Sequence, residues 1–358
     1  MDWKGLRKEE RIAAEIAMYF KNRGYEEYRM GAFEEYSVYM ENRDFLLSES
    51  MAVFAGQDGK LYALRPDVTL SVVKNARTEG GTKKFFYREM VCRLEKGSNS
   101  YRESAQIGAE ILGEIDRCAE AEIIQLIMKT LSTVNEKYLL DISHMGYVNG
   151  LIGAMGAEGE EKEELMRYLK EKNTHDFEKF AERKGIAKEK ARIFKEAAAI
   201  GGGAEEALKK ATELAQNEEM RTAAEELTAL TEIMKSLGVA EKININFSIA
   251  NNADYYNGII YNGYVDGIPK AVLGGGRYDK LAEKFGKRAQ AIGFALYFGE
   301  LTSYFGREEE QTDVLLLYRD GGEAAALKRA EQLNAEGKSV KLARRAERES
   351  CKETEVVE

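Results

Sequence analysis

The chain has 358 residues, of which 44% are hydrophobic and 32% are charged, and its formal net charge is −9. This length predicts two or three domains, and the apolar content is ample for a buried core. An acidic balance argues against a nucleic-acid-binding surface, which is usually basic. No apolar run approaches the roughly 18 residues of a membrane span, and residues 1–4 show no apolar signal region.

Cysteine and histidine are rare in the chain. The three cysteines, Cys92, Cys118 and Cys351, lie far apart, so neither a zinc site nor a disulfide framework is indicated. The cytoplasm is therefore the expected compartment. With only His144 and His175, a histidine-based metal cluster is excluded, and we expect no metal and no cofactor. For His144 we favour a hydrogen-bonded histidine at a strand-to-helix turn; a role in a subunit interface is the alternative.

The first part of the chain alternates between the periodicities of helices and strands. In order, it predicts a helix at 6–20, an extended stretch at 25–30, a strand at 60–64, a helix at 67–77, strands at 84–95 and 101–112, a helix at 116–131 and a strand at 138–143. The strands at 84–95 and 101–112 are separated only by a polar turn. This arrangement predicts a long antiparallel hairpin.

The composition changes after the strand at 138–143. A block from about 150 to 238 is dense in Ala, Glu, Lys and Leu and predicts a helical insertion. Further on, the patterns predict strands at 243–250, 258–265 and 268–273, a chain break at 274–276, a helix at 277–285, a strand at 290–298 and a β-α-β piece at 313–342. The charged residues 344–358 are expected to fray. The order suits an α+β fold on an antiparallel sheet, with domains at 1–310 and 311–358.

Four segments place polar residues in apolar surroundings, where a ligand could satisfy them. Asp67 and Thr69 follow a strand and could accept hydrogen bonds from an ammonium group, although simple helix capping is an alternative for this turn. Gln106 and Glu110 share one face of a strand, which could equally be the solvated face of an edge hairpin. The remaining two segments are 251–258 and the glycine-rich 273–279, where most such glycines only form turns.

In combination these segments resemble histidyl-tRNA synthetases. The matching stretches are LRPDVT (64–69), CRLEKGSNSYRESAQIGAE (92–110), NADYY (252–256), GGGRYD (274–279) and GFALYFGEL (293–301). The family's counterparts read like LRPEGT, FRxERPQxGRYRQFxQxGxE, RGLDYY, GGGRYD and GFAxGLERL. The resemblance runs to about residue 305. It implies a class II synthetase-like antiparallel sheet flanked by helices, with a helical insertion and a truncated C-terminal α/β piece.

The departures from the synthetase motifs concern catalysis. Adenylate formation needs cations on the triphosphate, and Arg93 keeps one of the family's arginines. Glu300 stands where the final motif has an arginine, and Asn251 stands where another arginine precedes the tyrosines. The hairpin loop at 95–98 also lacks the family's ERPQ, and the residues after 310 are too few for an anticodon-binding domain of roughly 100 residues. We therefore expect neither adenylation nor tRNA binding.

One related family keeps the fold without those parts. The stretch LDISHMGY (140–147), followed by GLI (150–152), resembles the DIGHxGFxxGLL of the regulatory subunits of short-form ATP phosphoribosyltransferase. The aspartate in LRPDVT also resembles that family more than the synthetases, which have a glutamate at this position. The resemblance implies a non-catalytic subunit in the cytoplasm, without a membrane anchor, that forms homodimers within a hetero-octamer with the catalytic subunit. The alternatives are a divergent active synthetase and a stand-alone histidine sensor.

The resemblance also implies a histidine pocket. Asp67 and Thr69 would hold the amino group, Gln106 would hold the carboxylate, and Glu110 and Tyr256 would face the imidazole. Arg93 and Tyr255 complete the set of candidate histidine-binding residues. A carboxylate on one ring nitrogen and a phenol on the other are suitable partners for an imidazole. The alternative is a relic in which these residues only satisfy one another.

Overall fold

The computed structural model describes residues 6–43, 51–77, 81–94, 100–249, 255–305, 312–344 and 351–357. It divides into two compact units, Met1–Tyr304 and Phe305–Glu358. Asn251 and the loop at 95–98, where the synthetase motifs are altered, lie outside the described residues.

The larger unit is built on an eight-stranded sheet. Its strands, in spatial order, are β1 (Glu26–Glu27), β5 (Lys83–Leu94), β6 (Tyr101–Gly113), β11 (Gln290–Tyr297), β10 (Leu273–Arg277), β9 (Ile259–Val265), β7 (Tyr138–His144) and β8 (Ile243–Ile245). The six inner strands pair antiparallel, as predicted. Only the two edge strands, β1 and β8, pair in parallel. A parallel pair needs a long crossover, and β7 reaches β8 only after the whole helical block.

Helices cover the sheet through apolar side chains. In the described part of the larger unit, the helices outside the helical block are α1 (Lys8–Asn22), α2 (Tyr36–Glu41), α3 (Thr69–Asn75), α4 (Arg117–Val134), α11 (Asp279–Lys284) and α12 (Phe298–Phe305). On α1, Ile12, Ile16 and Phe20 are buried on one face. The Phe20 ring lies edge-on to those of Phe86 and Phe294, with centroids 6.0 Å apart in both pairs. This contact joins α1 to β5 and β11.

A small antiparallel sheet stands beside the hairpin of β5 and β6. It consists of β2 (Phe33–Glu35), β4 (Leu61–Leu64) and β3 (Val53–Ala55). Arg65, directly after β4, anchors this sheet to β5. Its Nη2 lies 2.8 Å from Glu89 Oε2, and its Nη1 donates to the Met30 carbonyl at 2.9 Å. The anchor fixes the start of α3, and with it Asp67 and Thr69, against β5.

Six helices follow β7. They are α5 (Met145–Ala154), α6 (Glu160–Glu171), α7 (Thr174–Lys184), α8 (Lys188–Ala198), α9 (Ala204–Leu214) and α10 (Glu218–Ser236). His144 caps α5: its Nδ1 accepts a hydrogen bond from Gly146 N at 3.1 Å, and its Nε2 lies 2.9 Å from Glu226 Oε2 on α10. His144 is therefore a hydrogen-bonded histidine at a strand-to-helix turn, which is the interpretation that we favoured.

The predicted chain break at the glycines 274–276 is wrong. They do not break the chain but lie inside β10, which begins where the strand at 268–273 was expected to end. A Cβ on Gly275 would lie 2.6 Å from Phe294 Cα, and one on Gly276 would lie 2.8 Å from Tyr256 Cδ1. Glycine is required here because the neighbouring strand and the pocket wall approach the backbone closely.

The smaller unit contains β12 (Thr312–Tyr318), α13 (Glu323–Ala335), β13 (Val340–Ala343) and β14 (Cys351–Val357). Both β13 and β14 pair in parallel with β12. The expectation that residues 344–358 fray is therefore wrong for 351–357. The charges that suggested fraying are paired: Arg329 Nε lies 2.7 Å from Glu355 Oε1, and Lys352 Nζ lies 2.6 Å from Asp313 Oδ1. Within the described ranges, no helix combines the length and the apolar character needed to cross a bilayer.

We predict that Gly275→Ala lowers the free energy of unfolding by about 1–3 kcal/mol, the usual cost of overpacking. The reason is that the new Cβ would clash with the backbone of β11. The matched control is Gly153→Ala in α5, where a Cβ meets nothing within 4 Å. That change should be neutral or stabilising by up to about 1 kcal/mol. Urea unfolding of both variants measures the effect. Equal unfolding midpoints for the two variants would show that the close approach of β10 to β11 is absent.

Candidate ligand-binding site

One small cavity on the central sheet brings the candidate residues together. Its lining includes all seven histidine-binding candidates, namely Asp67, Thr69, Arg93, Gln106, Glu110, Tyr255 and Tyr256. They come from the start of α3, from β5 and β6, and from the segment before β9. Three further tyrosines that the sequence analysis did not assign also line the cavity: Tyr87, Tyr278 and Tyr297.

Glu110 forms the floor of this cavity and is 1% exposed. Thr69 Oγ1 donates a hydrogen bond to Glu110 Oε1 at 2.8 Å, and the Tyr278 hydroxyl donates to Oε2. Burial raises the pKa of Glu110 to about 8, against the opposing effect of these two hydrogen bonds. Near neutral pH both the protonated and the ionised form of the carboxyl group are therefore accessible. It can donate one hydrogen bond or, once deprotonated, balance a cation.

Gly293 makes room for this carboxyl group. It lies opposite Glu110 in the β6–β11 register, and a Cβ on it would overlap the Glu110 carboxylate. The buried polar floor therefore depends on a residue without a side chain on the neighbouring strand.

Tyrosine hydroxyl groups surround the floor. Burial raises the pKa values of Tyr255, Tyr256 and Tyr278 well above the usual value, so all three remain neutral. The ring of Tyr255 lies 4.6 Å from that of Tyr256 and 5.6 Å from that of Tyr278, between centroids. The resemblance implies that Tyr256 and Glu110 face an imidazole; the structure adds a direct hydrogen bond from the Tyr278 phenol to Glu110. Tyr278 belongs to the GGGRYD segment that the sequence singled out, but nothing in the sequence indicated its partner.

Asp67 and Arg93 line the cavity with opposite charges. Asp67 Oδ1 accepts a hydrogen bond from Leu70 N, in the first turn of α3, at 2.9 Å. This oxygen therefore caps the helix, which was the alternative to binding an ammonium group. Its Oδ2 lies 3.9 Å from Arg93 Nη2, beyond hydrogen-bonding distance. Burial raises the pKa of Asp67, and the guanidinium of Arg93 opposes this shift. Asp67 thus combines a structural hydrogen bond with a second oxygen that lines the cavity.

Arg93 offers an unused donor. Its Nε donates to the Pro66 carbonyl at 2.8 Å, which fixes the guanidinium plane. Its Nη2 is buried and has no hydrogen-bond partner within the described part of the chain. A buried cationic nitrogen without an acceptor is costly, and a ligand carboxylate would satisfy it.

The cavity is narrow. Its volume is about 20 Å³, which is room for one water molecule. Among the described residues, no group of three or more His, Cys, Asp or Glu side chains could hold a metal ion.

A wider groove of about 810 Å³ lies between α9 and α10. The charged side chains along it, including Glu205, Lys209 and Lys235, are exposed. Exposed charges are already solvated and do not need a ligand as a partner. The cavity over Glu110 is the better candidate site because its polar groups are buried.

Glu300 lies on α12, just beyond the end of β11. It is 41% exposed, and its Oε2 lies 3.6 Å from Lys270 Nζ. The position at which the synthetase motif has an arginine therefore carries a negative charge, whose nearby cation is itself largely exposed.

Comparison with known proteins gives the same family as the motifs. The histidyl-tRNA synthetase family model matches residues 4–301. The ATP phosphoribosyltransferase regulatory subunit of Caldanaerobacter subterraneus subsp. tengcongensis is 31% identical over 337 residues, which is 90% of this chain and 86% of that protein.

Two solved structures share the fold. One is an ATP phosphoribosyltransferase regulatory subunit/histidyl-tRNA synthetase from Bacillus halodurans, with a TM-score of 0.85 and 23% identity over 98% of this chain and 94% of that one. The other is in the ATP phosphoribosyl transferase complex of Thermotoga maritima, with a TM-score of 0.64 and 17% identity over 83% and 98% of the two chains. The class II synthetase-like fold is thus confirmed. The chain belongs to the family of ATP phosphoribosyltransferase regulatory subunits, which are relatives of histidyl-tRNA synthetase.

Proposed function

We propose that this chain is the non-catalytic regulatory subunit of ATP phosphoribosyltransferase, in the first step of histidine biosynthesis. It assembles as a homodimer within a hetero-octamer with the short-form catalytic subunit, and histidine binding to it provides feedback. Membership of the regulatory-subunit family supports the partnership, and the fold shared with a chain of the Thermotoga maritima complex agrees with it. The observation that carries the ligand is the cavity built over the buried carboxyl group of Glu110.

The floor of the cavity suits an imidazole ring. A protonated Glu110 donates to an unprotonated ring nitrogen, and an ionised Glu110 pairs with an imidazolium. Tyr278 and Thr69 already bond the carboxyl oxygens, so they orient it toward the ligand. A ring without nitrogens would leave these buried groups unsatisfied and would bind more weakly than histidine.

The two charged side chains suit the amino-acid end of the ligand. The Asp67 carboxyl group lines the cavity and would accept from the ammonium group, and Arg93 Nη2, which has no hydrogen-bond partner among the described residues, would donate to the carboxylate. Gln106, 3% exposed, adds an amide to the same lining. Because the cavity volume is only about 20 Å³, side chains of its lining must move to admit histidine.

The same pocket is poorly suited to adenylate formation. Attack of the histidine carboxylate on the α-phosphate of ATP, which releases pyrophosphate, requires preorganised cations around the triphosphate. Arg93 remains, but Glu300 adds a negative charge at an arginine position, and Asn251 offers no charge at another. We infer that the chain has lost synthetase activity and does not act on tRNA.

We predict that the protein supports no histidine-dependent ATP–pyrophosphate exchange, because Glu300 and Asn251 replace two of the three arginines and only Arg93 remains. Asn251→Arg should be equally silent, since Glu300 still repels the phosphates. A histidyl-tRNA synthetase assayed in parallel is the positive control. Exchange clearly above background would identify the chain as a divergent synthetase.

We predict that the isolated chain is a homodimer and that mixing it with a short-form ATP phosphoribosyltransferase gives a larger complex with higher transferase activity. Light scattering measures the mass, and a coupled assay measures the rate. Two separate peaks with an unchanged rate would rule out the partnership and favour a stand-alone histidine sensor.

We predict that Glu110→Ala weakens histidine binding by about ten- to a hundredfold. The basis is the roughly 1.5–3 kcal/mol of a charge-assisted hydrogen bond. Glu110→Gln is the matched control and should lose less, because its amide oxygen still accepts a hydrogen bond. Calorimetric titration, alone and with the catalytic partner, gives the affinities. Equal affinity for wild type and Glu110→Ala, or no binding in either setting, would show that the pocket is a relic.

A further inference from the structure

We infer that Asn257 and Asp279 form a clasp that positions Tyr256 and Tyr278 in the cavity and thereby sets its selectivity for a nitrogen-containing ring. This inference rests on the proposed histidine site. Each clasp residue directly follows one of the two tyrosines in the chain. The clasp therefore joins two segments that are 22 residues apart at the points where they enter the cavity.

The clasp is reciprocal. Asn257 Nδ2 donates to Asp279 Oδ2 at 3.0 Å, and Asp279 N donates to Asn257 Oδ1 at 2.7 Å. A backbone bond from Asn257 N to the Arg277 carbonyl, at 3.0 Å, closes the same junction. Three hydrogen bonds of normal length thus fix the segment of Tyr256 against that of Tyr278.

The clasp also holds β11. Asp279 Oδ1 accepts from Ala291 N at 2.9 Å, and Tyr278 N donates to the Ala291 carbonyl at 2.8 Å. Ala291 lies two residues before Gly293, which faces Glu110. The donor of the floor hydrogen bond, Tyr278, and the strand that makes room for the carboxyl group are therefore set by one side chain.

Arg277 makes the buried charge of Asp279 tolerable. Its Nε lies 2.9 Å from Asp279 Oδ2, and its Nη1 lies 3.0 Å from Glu120 Oε1. The three side chains are only 11–19% exposed. A buried carboxylate with a cation and several donors around it keeps a fixed orientation.

Tyr256 and Tyr278 both lie outside the regular helices and strands. Tyr278 precedes α11 with φ −141° and ψ 53°, which is neither helical nor extended. Tyr256 lies before the start of β9 at Ile259. The side-chain hydrogen bonds thus add to the backbone bonds that hold the two tyrosine segments, and small displacements weaken hydrogen bonds to a ligand steeply.

The test compares two ligands on Asn257→Ala by calorimetry, at a temperature well below the unfolding midpoint. The ligands are histidine and 2-thienylalanine, which has a ring of similar size without nitrogen. We expect about tenfold weaker histidine binding and less than about twofold change for the analogue, as for one lost ligand hydrogen bond. The matched control is Asn246→Ala, which removes a similar bond, from Nδ2 to Asp141 Oδ2 at 2.9 Å, away from the cavity.

A second variant pair keeps the test decisive if Asn257→Ala folds poorly. Asn257→Asp puts a second carboxylate against Asp279 Oδ2, and Asp279→Asn puts an amide donor against Arg277 Nε or Ala291 N, so both variants should lose histidine selectivity. Unchanged selectivity in Asn257→Ala or in this variant pair, or equal weakening of both ligands, overturns the clasp while the histidine site stands. A wild-type protein that does not bind histidine overturns the proposed site and the clasp together.

Discussion

A carboxyl group in the middle of a β-sheet is the constraint on which the site depends. Glu110 is buried, and a buried carboxyl group is stable only where donors meet its oxygens and no apolar group presses on it. Thr69 and Tyr278 supply the donors, and Gly293 leaves the space. Three separate parts of the fold, the start of α3, the end of β10 and the middle of β11, must therefore meet at one point.

The other special features of the structure follow from that meeting point. The glycines of β10 let β11 and the tyrosine segment approach the sheet closely. Arg65 ties the start of α3 to β5, and the pair of Asn257 and Asp279 ties the two tyrosine segments together. On the proposed function, the chain keeps the amino-acid half of a synthetase site. The triphosphate half loses its positive charge through Glu300.

The sequence predicted the hairpin and the site lining well, for different reasons. Strands at 84–95 and 101–112 were recognisable because alternation and a polar turn are local properties, and the structure has them at 83–94 and 101–113. The seven candidate residues were recognised through the order of their motifs, and all seven line one cavity. Two features depend on distant neighbours and could not be predicted. The close approach of β11 puts glycines inside β10, and the packing decides that Tyr278 bonds to Glu110.

The most direct test of the central claim is the histidine response of the assembled transferase. The initial rate of the short-form catalytic subunit, in complex with this chain, is measured over a range of histidine concentrations for wild type and for Glu110→Ala. We expect the wild-type complex to respond to histidine. In the equally assembled variant, we expect the midpoint to move to at least about tenfold higher concentration, consistent with the loss of one charge-assisted hydrogen bond. The same midpoint in both complexes, or no response in the wild type, would contradict a regulatory histidine site over Glu110.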